Sequence, residues 1–310
     1  MTNILFAARS EKWEDYEGPL RSALDAAGLD YRLSTELPTA EVDYIVYAPN
    51  SDVQDFTPFT RLKAVLNLWA GVEGITGNET LNVPLTRMVD EDGLTQGMVE
   101  WVTGHTLRHH LGMDAHIVNP DREWDATPPP LSADRPVTIL GMGALGQACA
   151  KALAALGFPV TGWSRTQKEL PGVTCHAGED GLRKALTDAQ IVILLLPDTP
   201  ATLNLIDAET LALPARGAFL INPGRGPLID DGALIDALDA GQIAHATLDV
   251  FRVEPLPEDH PFWSHPRVTV TPHIASTTRP GTAARVIAEN IRRGEAGESL
   301  LHLVDRDAGY

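Results

Sequence analysis

Six consecutive residues constrain this chain more than any other feature. Gly141-Met142-Gly143-Ala144-Leu145-Gly146 stand directly after the β-rich run VTIL and open the apolar run ALGQACAKALAALG. A strand entering a helix through this spacing uses each glycine for a different reason. Gly141 permits the tight turn, Gly143 lets a pyrophosphate approach the backbone, and Gly146 lets helix and strand touch. The helix N-terminus then offers its N–H groups to the phosphates. A glycine-rich turn alone is a weak sign. Between a strand and a helix it predicts a parallel α/β sheet holding a dinucleotide. The alanines and leucines keep one apolar face along the helix until Gly157 closes it.

The rest of the chain repeats that grammar. NILFAA (3–8), YRLS (31–34), DYIVYA (43–48), LKAVLNL (62–68) and VPLTRM (83–88) read as strands, with a helical pattern through Leu20, Leu24 and Ala27 closed by Gly28. A long helix is expected from about Leu94 to Val118, followed by the polar, proline-rich connector 119–136. From Pro136 the strand candidates are VTIL, PVTGW, GVTCH, IVILLL, AFLIN, HATLDV and RVTVTP. Alternating strands and helices imply parallel pairing with helices on both faces, and an all-apolar run such as IVILLL suits a central strand. A length of 310 residues suggests two domains. The expected division is 1–98 plus 279–310 for a discontinuous flavodoxin-like domain and 99–278 for a Rossmann domain, both doubly wound. The last helix, about Arg279 to Arg293, is expected to return to the first domain.

Lys and Arg number 24 against 42 Asp and Glu, a net charge of −18. Nucleic-acid binders and proteins of anionic membranes present basic faces, so neither partner is expected. Two cysteines, Cys149 and Cys175, are too few for a disulfide framework and fit a reducing compartment. The first residues read as a strand rather than a signal peptide, and the expected location is the cytoplasm.

The strand PVTGW runs into Ser164-Arg165-Thr166, with Lys168 just beyond. An NAD site places a carboxylate there for the ribose 2′-hydroxyl. Two cations and two hydroxyls suit a 2′-phosphate instead, so NADP(H) is expected over NAD(H). Arg225, Glu254 and His273 follow the later runs AFLIN, HATLDV and RVTV, at strand ends where open α/β sheets bind ligands. Reduction of a 2-oxo acid needs a cation for the carboxylate, an acid for the carbonyl oxygen, and a carboxylate to steady that acid.

With those motifs in order, the chain resembles the D-isomer-specific 2-hydroxyacid dehydrogenases, and within them the glyoxylate/hydroxypyruvate reductase A type. The resemblance runs through LWAGVEGI (68–75), GMGALG, WSRT, LLPDTPAT (195–202), NPGRG (222–226), LDVFRVEPLP (248–257), HPRVTVTPHIA (265–275) and VDRDAGY (304–310). It implies Arg225, Glu254 and His273 as the catalytic set, and Asp249 as a nicotinamide contact. It also implies Leu196, Pro197, Thr202, Pro223 and Gly224 along the cofactor, and Gly71 and Val72 as backbone donors to the substrate carboxylate. A homodimer built through the second domain and the long helix is implied too. Two positions depart from the wider family. Pro223 has no N–H to offer, and bulky Trp69 stands in the carboxylate loop, either as packing or as a pocket wall.

The resulting expectation is a cleft between the domains where His273 protonates, and Arg225 with the Gly71 and Val72 amides holds, a small 2-oxo acid. The rivals are a bulkier acid such as phenylpyruvate or 2-ketopantoate, and a dinucleotide-sensing corepressor. No metal site is expected. His105 and His109, four apart, lack the Glu of a zinc motif and read as a polar or interfacial face. Cys149 reads as a core thiol.

Overall fold

The computed structural model describes residues 1–306 and 309. The VDRDAGY stretch therefore falls outside the described residues at 307, 308 and 310.

The chain opens with β1 (Thr2–Ala7), α1 (Trp13–Ala26), β2 (Tyr31–Ser34), β3 (Tyr44–Tyr47), β4 (Ala64–Asn67), the short α2 (Glu73–Thr76) and β5 (Leu85–Thr86). Among the described residues these strands form one parallel sheet in the order β2-β1-β3-β4-β5. β3 and β4 are buried along their whole length, as strands covered on both faces must be. α1 ends where Gly28, in the left-handed region, lets the Leu29 amide reach back to Leu24 O and its own to Asp25 O. That is the closure expected of a glycine there.

The chain continues through α3 (Gln96–His110), α4 (Met113–Ile117), β6 (Val137–Leu140), α5 (Ala144–Ala155), β7 (Val160–Ser164), β8 (Val173–Ala177), α6 (Gly178–Leu186) and β9 (Ile191–Leu194). Then come α7 (Ala208–Leu211), β10 (Ala218–Asn222), α8 (Asp231–Asp239), β11 (Ile243–Leu248) and β12 (Val268–Val270). This second sheet is parallel throughout, in the order β12-β11-β10-β9-β6-β7-β8. α5 buries Gly146, Cys149, Ala150 and Leu153, the stripe of a helix with one apolar face. Gly157 closes it as Gly28 closes α1.

The single long helix expected over 94–118 is broken. Gly112 takes a left-handed conformation (φ 61°) and separates α3 from α4, because a residue without Cβ reverses the backbone there at no steric cost. Trp101 and Leu107 pack within their own unit against Ile139 and its neighbours, whereas Met113, Ile117 and Val118 are exposed.

The last helix, α9 (Pro280–Glu295), packs on α1 and buries Ala283, Ala284, Ile287, Ala288 and Ile291. The chain thus divides into Met1–Leu94 with Thr277–Tyr310, and Thr95–Ser276. The sequence reading placed these divisions at 98/99 and 278/279.

Candidate active site

Because the second sheet is parallel, its carboxyl-terminal strand ends share one edge. β6 and β9 are neighbours whose connections leave in opposite directions, the switch point at which such sheets bind ligands. There the three fingerprint glycines differ as the chemistry requires. Gly141 has φ 110°, and a Cβ on it would lie 2.3 Å from Leu195 O. A Cβ on Gly146 would lie 1.8 Å from Gly141 O, so helix and turn meet backbone to backbone. A Cβ on Gly143 would meet nothing within 4 Å. The open position lies at the N-terminus of the twelve-residue α5, where backbone N–H groups lack helical partners and suit an anion. Met142 is buried under Gly162, leaving no room for a side chain on β7. Ala144 and Leu145 begin the helix.

The loop after β9 folds on itself through Thr202, whose hydroxyl donates to Pro197 O at 2.7 Å and accepts from the Thr199 amide at 2.9 Å. Leu196 beside it is nearly buried. At the end of β7 the Ser164 hydroxyl donates to Thr166 O at 2.9 Å, which shapes the turn, while Arg165, Thr166 and Lys168 are exposed. Gln167, not singled out in the sequence, ties this loop to β8 by donating to Lys168 O and Cys175 O.

β10, β11 and β12 lie side by side, and each strand end carries one of the expected catalytic residues. After β10, buried Asn222 accepts the Gly224 amide on its Oδ1 and donates through Nδ2 to Arg225 O, holding the NPGRG turn in shape. Pro223 supplies only a carbonyl within it. A Cβ on Gly224 would lie 2.8 Å from Leu194 O, and one on Gly226 would lie 2.0 Å from the Phe251 carbonyl carbon. The turns after β9, β10 and β11 are therefore in backbone contact. The Arg225 guanidinium donates back to Gly224 O at 2.7 Å.

After β11, Glu254 accepts the Phe251 amide on Oε1 at 2.9 Å and meets His273 Nδ1 with Oε2 at 2.7 Å. His273 sits in the left-handed region (φ 54°), which costs a residue with a Cβ about 1–2 kcal/mol unless its surroundings hold it. Asp249 does so. Its carbonyl accepts the His273 amide, and its buried carboxylate accepts Thr271 Oγ1 and the amides of Ile274 and Ala275. With Nδ1 committed to Glu254, Nε2 is the ring nitrogen left for acid–base work.

In the first unit, the turn after β4 carries Trp69, Gly71 and Val72. Trp69 is 42% exposed, while Val72 is buried. Trp69 O accepts the Met88 amide, and among the described residues no acceptor of the chain takes the Gly71 or Val72 amide.

The long-helix histidines serve the interior of the second unit. His109 Nε2 pairs with Thr247 Oγ1 at 2.9 Å and its ring stacks on Phe219. Burial pushes His109 down to about 3 and His245 to about 4, and it lowers His105 as well. Among the described residues no three His, Cys, Asp or Glu side chains converge as metal ligands. Burial also pushes the Cys149 thiol up to about 12, which suits an inert core residue. No helix among the described residues is long and apolar enough to cross a membrane.

Comparison with known proteins agrees with this geometry. Residues 105–275 match the family described as D-isomer specific 2-hydroxyacid dehydrogenase, NAD binding domain. A glyoxylate/hydroxypyruvate reductase A from Serratia proteamaculans is 42% identical over 81% of this chain and 82% of that protein. One from Yersinia enterocolitica is 38% identical over 90% and 94%. Among solved structures, a D-isomer specific 2-hydroxyacid dehydrogenase from Xanthobacter autotrophicus in complex with NADPH and MES is similar. It is 42% identical, with a TM-score of 0.92 over 100% of this chain and 99% of that one. An NADPH-dependent glyoxylate/hydroxypyruvate reductase from Sinorhizobium meliloti, bound to NADP and sulfate, is 33% identical with a TM-score of 0.86 over the whole of both chains. The glycine turn, the paired glutamate and histidine and these likenesses meet in one conclusion: the chain belongs to the D-isomer-specific 2-hydroxyacid dehydrogenases.

Proposed function

We propose that the protein is an NADPH-dependent reductase of glyoxylate, hydroxypyruvate or a similar small 2-oxo acid. The observation that carries this reading is the 2.7 Å contact between Glu254 and His273 Nδ1. A module that only binds a dinucleotide has no use for an oriented acid–base pair. When bound, the nicotinamide cofactor supplies a hydride to the carbonyl carbon. His273 donates the Nε2 proton to the carbonyl oxygen, and Glu254 stabilises the imidazolium beforehand and keeps the ring turned. Arg225 takes the substrate carboxylate in a charge-assisted pair, and the Gly71 and Val72 amides are further donors to it. In oxidation of the hydroxy acid the same Nε2 accepts the proton.

The pyrophosphate is assigned to Gly141–Gly146 with the start of α5, and the 2′-phosphate to Arg165, Ser164, Thr166 and Lys168. Leu196, Pro197, Thr202, Pro223, Gly224 and Asp249 line the nicotinamide side. Trp69 bounds the substrate. We further assign the working form as a cytoplasmic homodimer, supported by the exposed Ile117, Val118, Trp124 and Leu131 that follow α3. The test is NADPH oxidation by the purified protein over a panel of 2-oxo acids. Turnover of glyoxylate and hydroxypyruvate is the expected result. Binding of NADPH without turnover of any 2-oxo acid would refute the reading.

A further inference from the structure

The turn after β4 is held from two sides by side chains that the functional reading leaves unassigned. Asn67, the last residue of β4, is fully buried, and its Nδ2 donates to Trp69 O and to Gly71 O, each at 2.9 Å. A trans peptide points its C=O and N–H in opposite directions. Fixing Gly71 O towards Asn67 therefore turns the Val72 N–H the other way, and fixing Trp69 O does the same for Ala70. Asn67 Oδ1 is buried and has no hydrogen-bond partner among the described residues. A leucine would fill that space with no unpaired acceptor, so the retained amide points to a task in its two donors.

The other hold comes from Arg306, beyond α9. Its Nε donates to Thr76 O at 3.1 Å, one terminal nitrogen to Asn78 O at 2.7 Å and the other to Leu81 O. Thr76 is tied to the turn itself, since Val72 O accepts the amides of both Ile75 and Thr76. Thr278 adds a third contact by donating to Leu68 O at 2.7 Å. The carbonyls of Leu68, Trp69, Gly71 and Val72 are thus all engaged by the protein, while the Gly71 and Val72 amides find no acceptor among the described residues.

We propose that Asn67 and Arg306 are positioning residues that preset the Gly71–Val72 turn to receive the substrate carboxylate. Asn67 sets the peptide planes, and Arg306 fixes the far end of the hydrogen-bonded unit that carries them. The inference rests on the proposed 2-oxo acid reductase reading. Preorganised donors bind an anion without first reordering, so loosening them raises KM and spares the proton and hydride steps.

The test compares wild type with Asn67→Asp, which keeps the volume but replaces both donors by an acceptor, and with Arg306→Ala and Arg306→Lys. For glyoxylate, KM should rise at least tenfold in Asn67→Asp and several-fold in Arg306→Ala, with kcat within about threefold and KM for NADPH unchanged. Arg306→Lys should recover part of the loss. KM for glycolaldehyde, which has no carboxylate, should stay put. Amide hydrogen exchange at Ile75 and Thr76 should quicken in Asn67→Asp and Arg306→Ala, a readout that needs no turnover. A wild-type protein inactive on every 2-oxo acid would overturn the functional reading alone. Unchanged glyoxylate KM in Asn67→Asp, equal rises for glyoxylate and glycolaldehyde, or unchanged exchange at Ile75 and Thr76 would overturn this one.

Discussion

Replacing His109 by Gln isolates a titration that the fold imposes on the second unit. In the folded chain the ring is 3% exposed, stacked 4.7 Å from Phe219 and paired with Thr247, and burial pushes it from 6.5 down to about 3. In the unfolded chain it titrates as an ordinary histidine. Between those values the unfolded state therefore binds a proton that the folded state refuses, and stability falls as pH drops. Above about pH 7 this residue contributes no pH dependence. At pH 5 the native state has lost about 2 kcal/mol through His109 alone, and the loss approaches about 5 kcal/mol near pH 3. His245, lowered to about 4 chiefly by burial, acts in the same direction. The assay is urea unfolding at pH 8 and pH 5, followed by tryptophan fluorescence. His109→Gln should cost stability at pH 8, where it loses the stacked ring, yet lose about 2 kcal/mol less than wild type on going to pH 5. Parallel pH dependences for the two proteins would show that His109 is not held neutral by burial, and the reasoning would fail.

His273→Ala should lower kcat for 2-oxo acid reduction by about 10²–10⁴-fold with NADPH affinity largely kept, and near-normal turnover would refute the proton-transfer role. Glu254→Gln should keep a hydrogen bond to Nδ1 but remove its charge, so kcat for 2-oxo acid reduction should fall while KM for NADPH stays put. Arg165→Ala should raise KM for NADPH about tenfold or more and leave NADH nearly untouched, while Ser164→Asp should shift preference towards NADH; an equal effect on both cofactors would refute the 2′-phosphate assignment. Sedimentation at micromolar concentration should find a dimer that Ile117→Lys with Trp124→Lys converts to monomer.

Whatever depends on neighbours along the chain is legible in the amino-acid sequence. The glycines at 141, 143 and 146 imply a tight strand-to-helix turn because their geometric demands lie within six residues. Gly28 and Gly157 close their helices through hydrogen bonds that span one turn. Strand–helix alternation and the all-apolar IVILLL likewise forecast parallel sheets covered on both sides. The residue types at 225, 254 and 273 named a chemistry, and only the order β12-β11-β10 made neighbours of their loops. The Glu254–His273 contact, the left-handed backbone of His273 and its fastening by Asp249 belong to that tertiary arrangement. The break at Gly112 is local instead: a left-handed glycine separates α3 from α4 within a stretch read from sequence as one helix. The residues that sequence reasoning passed over, Asn67, Gln167, Asn222 and Arg306, share one property: their side chains bond to backbone carbonyls or amides. Every residue has a carbonyl, so such a partner leaves no trace in its own identity. Only the folded chain shows which carbonyl each of these side chains reaches.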